Sequence, residues 1–213
     1  MARPKRQAER RHVLVRAARR AIAARGYSGV RIKDVADAAG LSPQTVLYYY
    51  PDVDELLVEA IRHAVKRYVE RRRDTVDALD DPVAQLAATI RAGLPTDPED
   101  DVSIIYQCVG ALHDNTALRA MVMALTAQQV DLYLRILEVG AARGVFRLAG
   151  DSRSIAANLV ALEDAYGLYM VEGYGLTDED AITQVMAFAA LATGVDLREQ
   201  EGSDPGTPGR RSD

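Results

Sequence analysis

Residues 32–51, IKDVADAAGLSPQTVLYYYP, read as two short helices joined by a tight turn. Val35 and Ala39 lie one helical turn apart and face a small core. Ala36 is small enough to let a second helix cross close by. Gly40 falls where the first helix must stop and the backbone must turn, the usual place for a positive φ. Ser42 then offers an N-cap hydroxyl, and Pro43 occupies the first helical position, where a missing N–H costs nothing. Val46 and Tyr50, four apart, pack the second helix inward. Gln44, Thr45, Leu47 and Tyr48 are left to point elsewhere. Any two-helix hairpin shares some of these features. Twenty residues in which spacing, cap, proline and both buried pairs agree point to a helix-turn-helix whose second helix enters a DNA major groove.

Charge agrees with that reading. Residues 1–50 hold eleven Lys/Arg and three Asp/Glu, a formal +8, whereas residues 81–213 hold nine and twenty, a formal −11. A basic first quarter on a chain of net charge −5 suggests a local polyanion contact rather than general stickiness. Arg3, Lys5, Arg6, Arg10 and Arg11 are read as a basic arm beside the hairpin. Arg71, Arg72 and Arg73 are read as a solvated stretch.

The remaining periodicity is helical, so the fold class is all-α, with about nine helices. Helices are expected over 7–25, 32–39, 43–50, a long one from the Asp52 start, then 83–93, 102–113, 116–143, 152–173 and 178–193. Three domains of the chain are expected: 1–51 as the helix-turn-helix head, 52–195 as an effector-binding and dimerisation domain, and 196–213 as a disordered tail rich in charge, Gly, Pro and Ser. The long helix after Asp52 is shared, so head and body are mechanically coupled. No run of eighteen apolar residues crosses a membrane. With no secretory h-region and a single cysteine, Cys108, a reducing cytoplasm is expected, with association to the nucleoid.

No catalytic constellation is visible. His12, His63 and His113 fall on separate elements without ligand spacing, and no phosphate-cradling glycine loop exists. No enzyme activity, cofactor or metal is expected. Cys108 reads as a small buried hydrophobe.

From about Val13 to Ile61 the chain resembles the tetracycline-repressor (TetR) family of bacterial transcriptional regulators. The resemblance rests on AARGY (23–27), DVA-x-x-AGLS (34–42), Thr45, YYYP (48–51) and DELL (54–57). It implies a homodimer on a palindromic or near-palindromic double-stranded DNA operator, acting as a repressor released by a small, largely apolar effector. Lys33, Ser42, Pro43, Gln44, Thr45, Leu47, Tyr48 and Tyr49 are the implied DNA-contacting positions. Three departures stand out: Arg31 replaces the usual Ser/Thr cap, Leu47 the usual Tyr, and Val53 the frequent Lys. The first removes a cap worth about 1 kcal/mol. The other two keep a second reading open, a helical protein-interaction adaptor whose head does not bind DNA.

Polar groups inside apolar helices are the only trace of an effector site. Tyr106, His113, Gln129, Tyr133, Glu163, Asp164, Tyr166 and Tyr169 are the candidate anchors. The acids at 163 and 164 favour a cationic or hydroxylated ligand over a carboxylate. Met186 and Ala189 on the last helix, with Ala156, Ala157, Ala161, Ala165 and Gly167 on the one before, are expected at a four-helix dimer interface.

Overall fold

A computed structural model describes residues 2–197, with side chains from residue 7 onward. Among the described residues there are nine α-helices, two 3₁₀ turns and no strand. The head comprises α1 (Ala2–Arg25), α2 (Ile32–Ala39) and α3 (Pro43–Tyr49). The 25-residue α4 (Val53–Asp77) leads into α5 (Pro82–Gly93), α6 (Asp101–Tyr106), α7 (Thr116–Ala142), α8 (Ser152–Val171) and α9 (Asp178–Thr193).

Local chemistry sets the helix ends. Gly40 closes α2 in the left-handed region at φ 66°, and its N–H reaches back to the Asp37 carbonyl. Ser42 Oγ accepts from the Thr45 N–H at 3.2 Å, which caps α3. The cap expected to be missing from α2 is supplied from the other side. Asp34, at the third helical position, accepts the Arg31 N–H at 2.8 Å and is itself held by Arg25 at 2.8 Å. Asn115, Asp151 and Thr177 cap α7, α8 and α9, the last with a reciprocal bond from Asp180.

Two apolar cores follow. The first joins Leu14, Ala18 and Ile22 of α1 to Val35, Val46, Tyr50 and the first half of α4, and continues into Val102, Ile105, Cys108 and Leu118. The second packs Leu86 and Ile90 of α5 against Tyr133 and Ile136 of α7, Leu159 of α8, and Val185 and Ala189 of α9. α4 contributes to both, with Leu56 through Val69 in the first and Val76 in the second.

Four expectations change here. The segment 102–113 is not one helix. α6 ends at Tyr106, and a 3₁₀ turn at Val109–Ala111 follows. The apolar pattern survives the break because i, i+3 contacts persist in a three-residue turn, so periodicity alone does not reveal it. Met186 and Ala189 lie inside the protomer's own core, 6% and 0% exposed, as does Ala156. A helix at the outside of a bundle must spend its largest apolar residues inward first. Gly167 faces the Tyr106 ring, where a Cβ would lie 2.4 Å from the nearest ring carbon. Its smallness serves an internal contact. Leu197 is buried on the second core, so the ordered packing runs past 195. The rest of the expected tail, 198–213, lies outside the described residues.

Candidate functional site

The face of the head opposite its core carries the hairpin's outward residues. Ser42, Pro43 and Gln44 are exposed in the first turn of α3, Thr45 is half-buried, and Lys33 is exposed on α2. The Ser42 and Thr45 hydroxyls lie 2.9 Å apart. Leu47 and Tyr48 project outward, with Tyr48 74% exposed. Tyr49 is half-buried and packs on the head core, edge-on to Tyr48. Seven of the eight DNA-candidate positions fall in the α2–α3 turn and along α3, with Tyr49 turned partly to the core, whereas Lys33 stands at the opposite end of α2.

Much of the head's positive charge is committed internally. Arg11 donates to the Tyr50 hydroxyl at 3.2 Å and to Glu59 at 3.3 Å, and its guanidinium sits over the Tyr50 ring. It braces α1 against α3 and α4 rather than serving as an arm charge. Arg20 donates to the Ala38 carbonyl at 2.6 Å, and Arg25 pairs with Asp34. Among the described residues Lys33 has no ion-pair partner, which leaves its charge available to a polyanion. The side chains of Arg3, Lys5 and Arg6 lie outside the described ones.

A cavity of about 230 Å³ opens in the body between α4, α6, α7 and α8. Its walls include Val102, Ile105, Val109, Leu112, Leu125 and Val160, with Tyr68 and Tyr106 as aromatic faces and Thr126, Gln129, Glu163 and Asp164 as polar points. A wider hollow of about 350 Å³ runs beside Pro95, Thr96 and Asp97, but it is a more open surface cleft.

Four of the eight effector candidates, Tyr106, Gln129, Glu163 and Asp164, line this cavity. Tyr133 lies behind it, fully buried, and donates a short hydrogen bond to Glu163. His113 is exposed beyond the 3₁₀ turn, because the early end of α6 carries it away. Tyr166 packs on the second core, and Tyr169 is 45% exposed in an aromatic group with Tyr166 and Tyr174. These three do not belong to the cavity. The helical period explains why: Val160, Glu163, Asp164 and Leu168 share a face of α8 that 166 and 169 do not.

Arg72 is the residue that sequence reasoning missed. Set in an Arg-Arg-Arg run, it was expected in solvent, yet it is 0% exposed. Its two terminal nitrogens meet both Glu163 carboxylate oxygens, at 3.1 and 2.9 Å. They also donate to Gln129 Oε1 at 2.6 Å, the Tyr68 hydroxyl at 2.8 Å, the Tyr133 hydroxyl at 3.1 Å and the Thr89 carbonyl at 2.9 Å. Burial alone would pull the guanidinium down, but Glu163, Tyr68 and Tyr133 hold its pKa well above the ordinary value. Burial pushes the Glu163 carboxyl up, against the pull of Arg72 and Tyr133. The signal that pointed inward was position: Arg72 follows Tyr68 by four and precedes Val76 by four on the buried face of α4.

A second ion cluster ties body to head. Asp101, 1% exposed at the start of α6, meets Arg19 of α1 at 2.7 Å, and Arg67 and Arg71 of α4 at 3.3 and 3.5 Å. The helix that supplies Val102, Ile105 and Tyr106 to the cavity is thus pinned to the first helix of the head. Cys108 is fully buried, and burial raises its thiol pKa to about 11, which leaves it protonated and inert. Among the described residues no cluster of His, Cys, Asp and Glu has the makings of a metal site, and no helix is long and apolar enough to cross a membrane.

Comparison with known proteins bears on both ends of the molecule. Residues 14–60 match the family described as bacterial regulatory proteins, tetR family. The HTH-type transcriptional repressor KstR2 of Mycolicibacterium smegmatis is 23% identical over 145 residues, covering 68% of this chain and 71% of that protein. A putative transcriptional regulator from Saccharomonospora viridis, solved in complex with choline, superposes with a TM-score of 0.78 at 28% identity, over 85% of this chain and 95% of that one. A putative TetR-family regulator from Rhodococcus sp. gives 0.73 at 24% identity, over 86% and 98%.

Proposed function

We propose that this chain is a DNA-binding transcriptional regulator of the TetR family, which represses by holding a two-fold operator as a homodimer and lets go when a small, largely apolar effector enters the cavity behind Tyr106. The observation that carries the reading is the pairing of an exposed α3 face with a partly open cavity whose own wall, α6, is pinned to α1 through Asp101 and Arg19. A ligand that reseats Tyr106 and Ile105 moves α6, and α6 cannot move without pulling on α1 and α4. Occupancy then biases head spacing away from two half-sites about 34–36 Å apart, or a multiple of that.

In the head, Gln44 and Thr45 read base edges, Lys33 and the basic arm contact phosphates, and Leu47 offers an apolar contact to a thymine methyl. Ser42 and Pro43 set the start of the helix that does this. Tyr48 and Tyr49 flank it at the backbone. The dimer would form on the outer faces of α8 and α9, where Ala157 and Ala161 are exposed and Leu191 is 80% exposed. A protein of this kind works in the cytoplasm, on the nucleoid.

The test is a gel shift with the DNA flanking the protein's own gene. Specific retardation over unrelated DNA is expected, lost in a Leu191→Asp variant that runs as a monomer. Equal retardation of all fragments by a monomeric wild type would refute the reading.

A further inference from the structure

We infer that the cavity takes a small organic cation, an ammonium group on an apolar body, with Asp164 as its counter-charge. The inference rests on the effector reading above and names the ligand class of that site.

Charge at the lining decides it. Of the residues around the cavity, two are acidic and none is basic. Glu163 is already neutralised by the two-pronged contact with Arg72 behind the wall. Asp164 has no such partner among the described residues. Its one side-chain contact is the Tyr106 hydroxyl, which donates to Oδ1 at 3.2 Å and to the Glu163 carbonyl at 3.3 Å. A single carboxylate without an ion-pair partner therefore stands at the solvent-exposed mouth of a largely apolar space. The crowding around it disfavours its charge and raises the Asp164 pKa. A bound cation would relieve that penalty, whereas a bound carboxylate would add like-charge repulsion.

The walls fit the same class. Tyr106 and Tyr68 give the cavity aromatic surface, which attracts alkylated ammonium groups. The Tyr68 ring already has the Arg72 guanidinium 5.4 Å from its centre, so Tyr106 is the ring left for a ligand. Ile105, Val109, Leu112 and Leu125 would cover the apolar body. At about 230 Å³ the space is smaller than the roughly 300–1,000 Å³ of drug-sized sites, which limits the ligand to a small molecule.

The experiment is calorimetric titration of the full-length protein with three probes: benzyltrimethylammonium, benzyl alcohol and phenylacetate. The cation is expected to bind tightest. Asp164→Asn is expected to weaken it about tenfold to a hundredfold, Asp164→Glu to retain it, and phenylacetate to bind better to Asp164→Asn than to wild type. Thr126→Trp, which fills the cavity from α7, should abolish binding of the cation while the far-UV circular dichroism stays helical. Phenylacetate binding as tightly as the cation, a cation affinity untouched by Asp164→Asn, or no cation binding would each overturn the assignment. If benzyl alcohol alone binds and Thr126→Trp removes it, the cation class falls and the cavity reading stands. If no probe binds, and none shifts operator affinity, both fall.

Discussion

Replacing Arg72 by methionine should be among the most destabilising single changes in the body. The side chain is fully buried and makes hydrogen bonds to five different residues across α4, α5, α7 and α8. Methionine supplies the volume but none of the donors. It leaves the Glu163 carboxylate 3% exposed and facing only the Tyr133 hydroxyl. Breaking one side of such a buried pair costs about 3–5 kcal/mol, because the surviving charge is stranded. For a protein of this size about 1 kcal/mol moves Tm by roughly 2–4 °C, so a drop of about 6–20 °C is expected. Thermal melting followed by circular dichroism, at one fixed protein concentration, reads the drop, and urea unfolding reads the free-energy loss. The double variant Arg72→Met, Glu163→Met removes the stranded charge and should recover most of the loss. A single-variant cost below about 1 kcal/mol would refute the reasoning, as would a double variant whose losses simply add.

Gly167→Ala should strain the Tyr106 wall. The new Cβ would stand 2.4 Å from the ring, which must move toward the cavity, at a cost of about 1–3 kcal/mol against a smaller gain in helix propensity. A weakened ligand affinity in the same variant, read by titration, is the second expected sign, and unchanged melting with unchanged binding would speak against it. His63 carries a pH dependence. Burial lowers its pKa below 6.5, and Arg19, Arg67 and His12 push the same way while Asp101 opposes them. Below 6.5 the unfolded chain then binds more protons at this residue than the folded one, so stability falls as pH drops through that window toward the lowered value. His63→Gln should flatten the acid side of a urea-midpoint against pH plot, and an identical slope in the two proteins would contradict the assignment.

The head was legible because its determinants are local. Gly40 needs a positive φ, Ser42 a neighbouring N–H, and Val46 and Tyr50 each other, so each residue's role can be read within a few positions of itself. The body was legible only as helices. Apart from Tyr68, the groups that hold Arg72 lie 17 to 91 positions away in sequence, and the period that sets it on the buried face of α4 does not show what it pairs with. Glu163 and Asp164 look alike as a sequence pair, yet one is sealed by Arg72 and the other faces the cavity. His113 was placed with them by a helical period that a 3₁₀ turn interrupts. Met186 and Ala189 were assigned to an interface because surplus apolar surface does not say which part of it the protomer keeps for itself.

The central claim is that α3 reads bases through its first turn. Its most direct test is fluorescence anisotropy of the retained operator fragment and a set of single base-pair substitutions, titrated with wild type and with Gln44→Ala. The expected result is a loss of about 1–3 kcal/mol on the parent fragment, and relaxed discrimination at one base pair in each half-site with the others unchanged. Discrimination by Gln44→Ala equal to that of wild type at every base pair would contradict the claim.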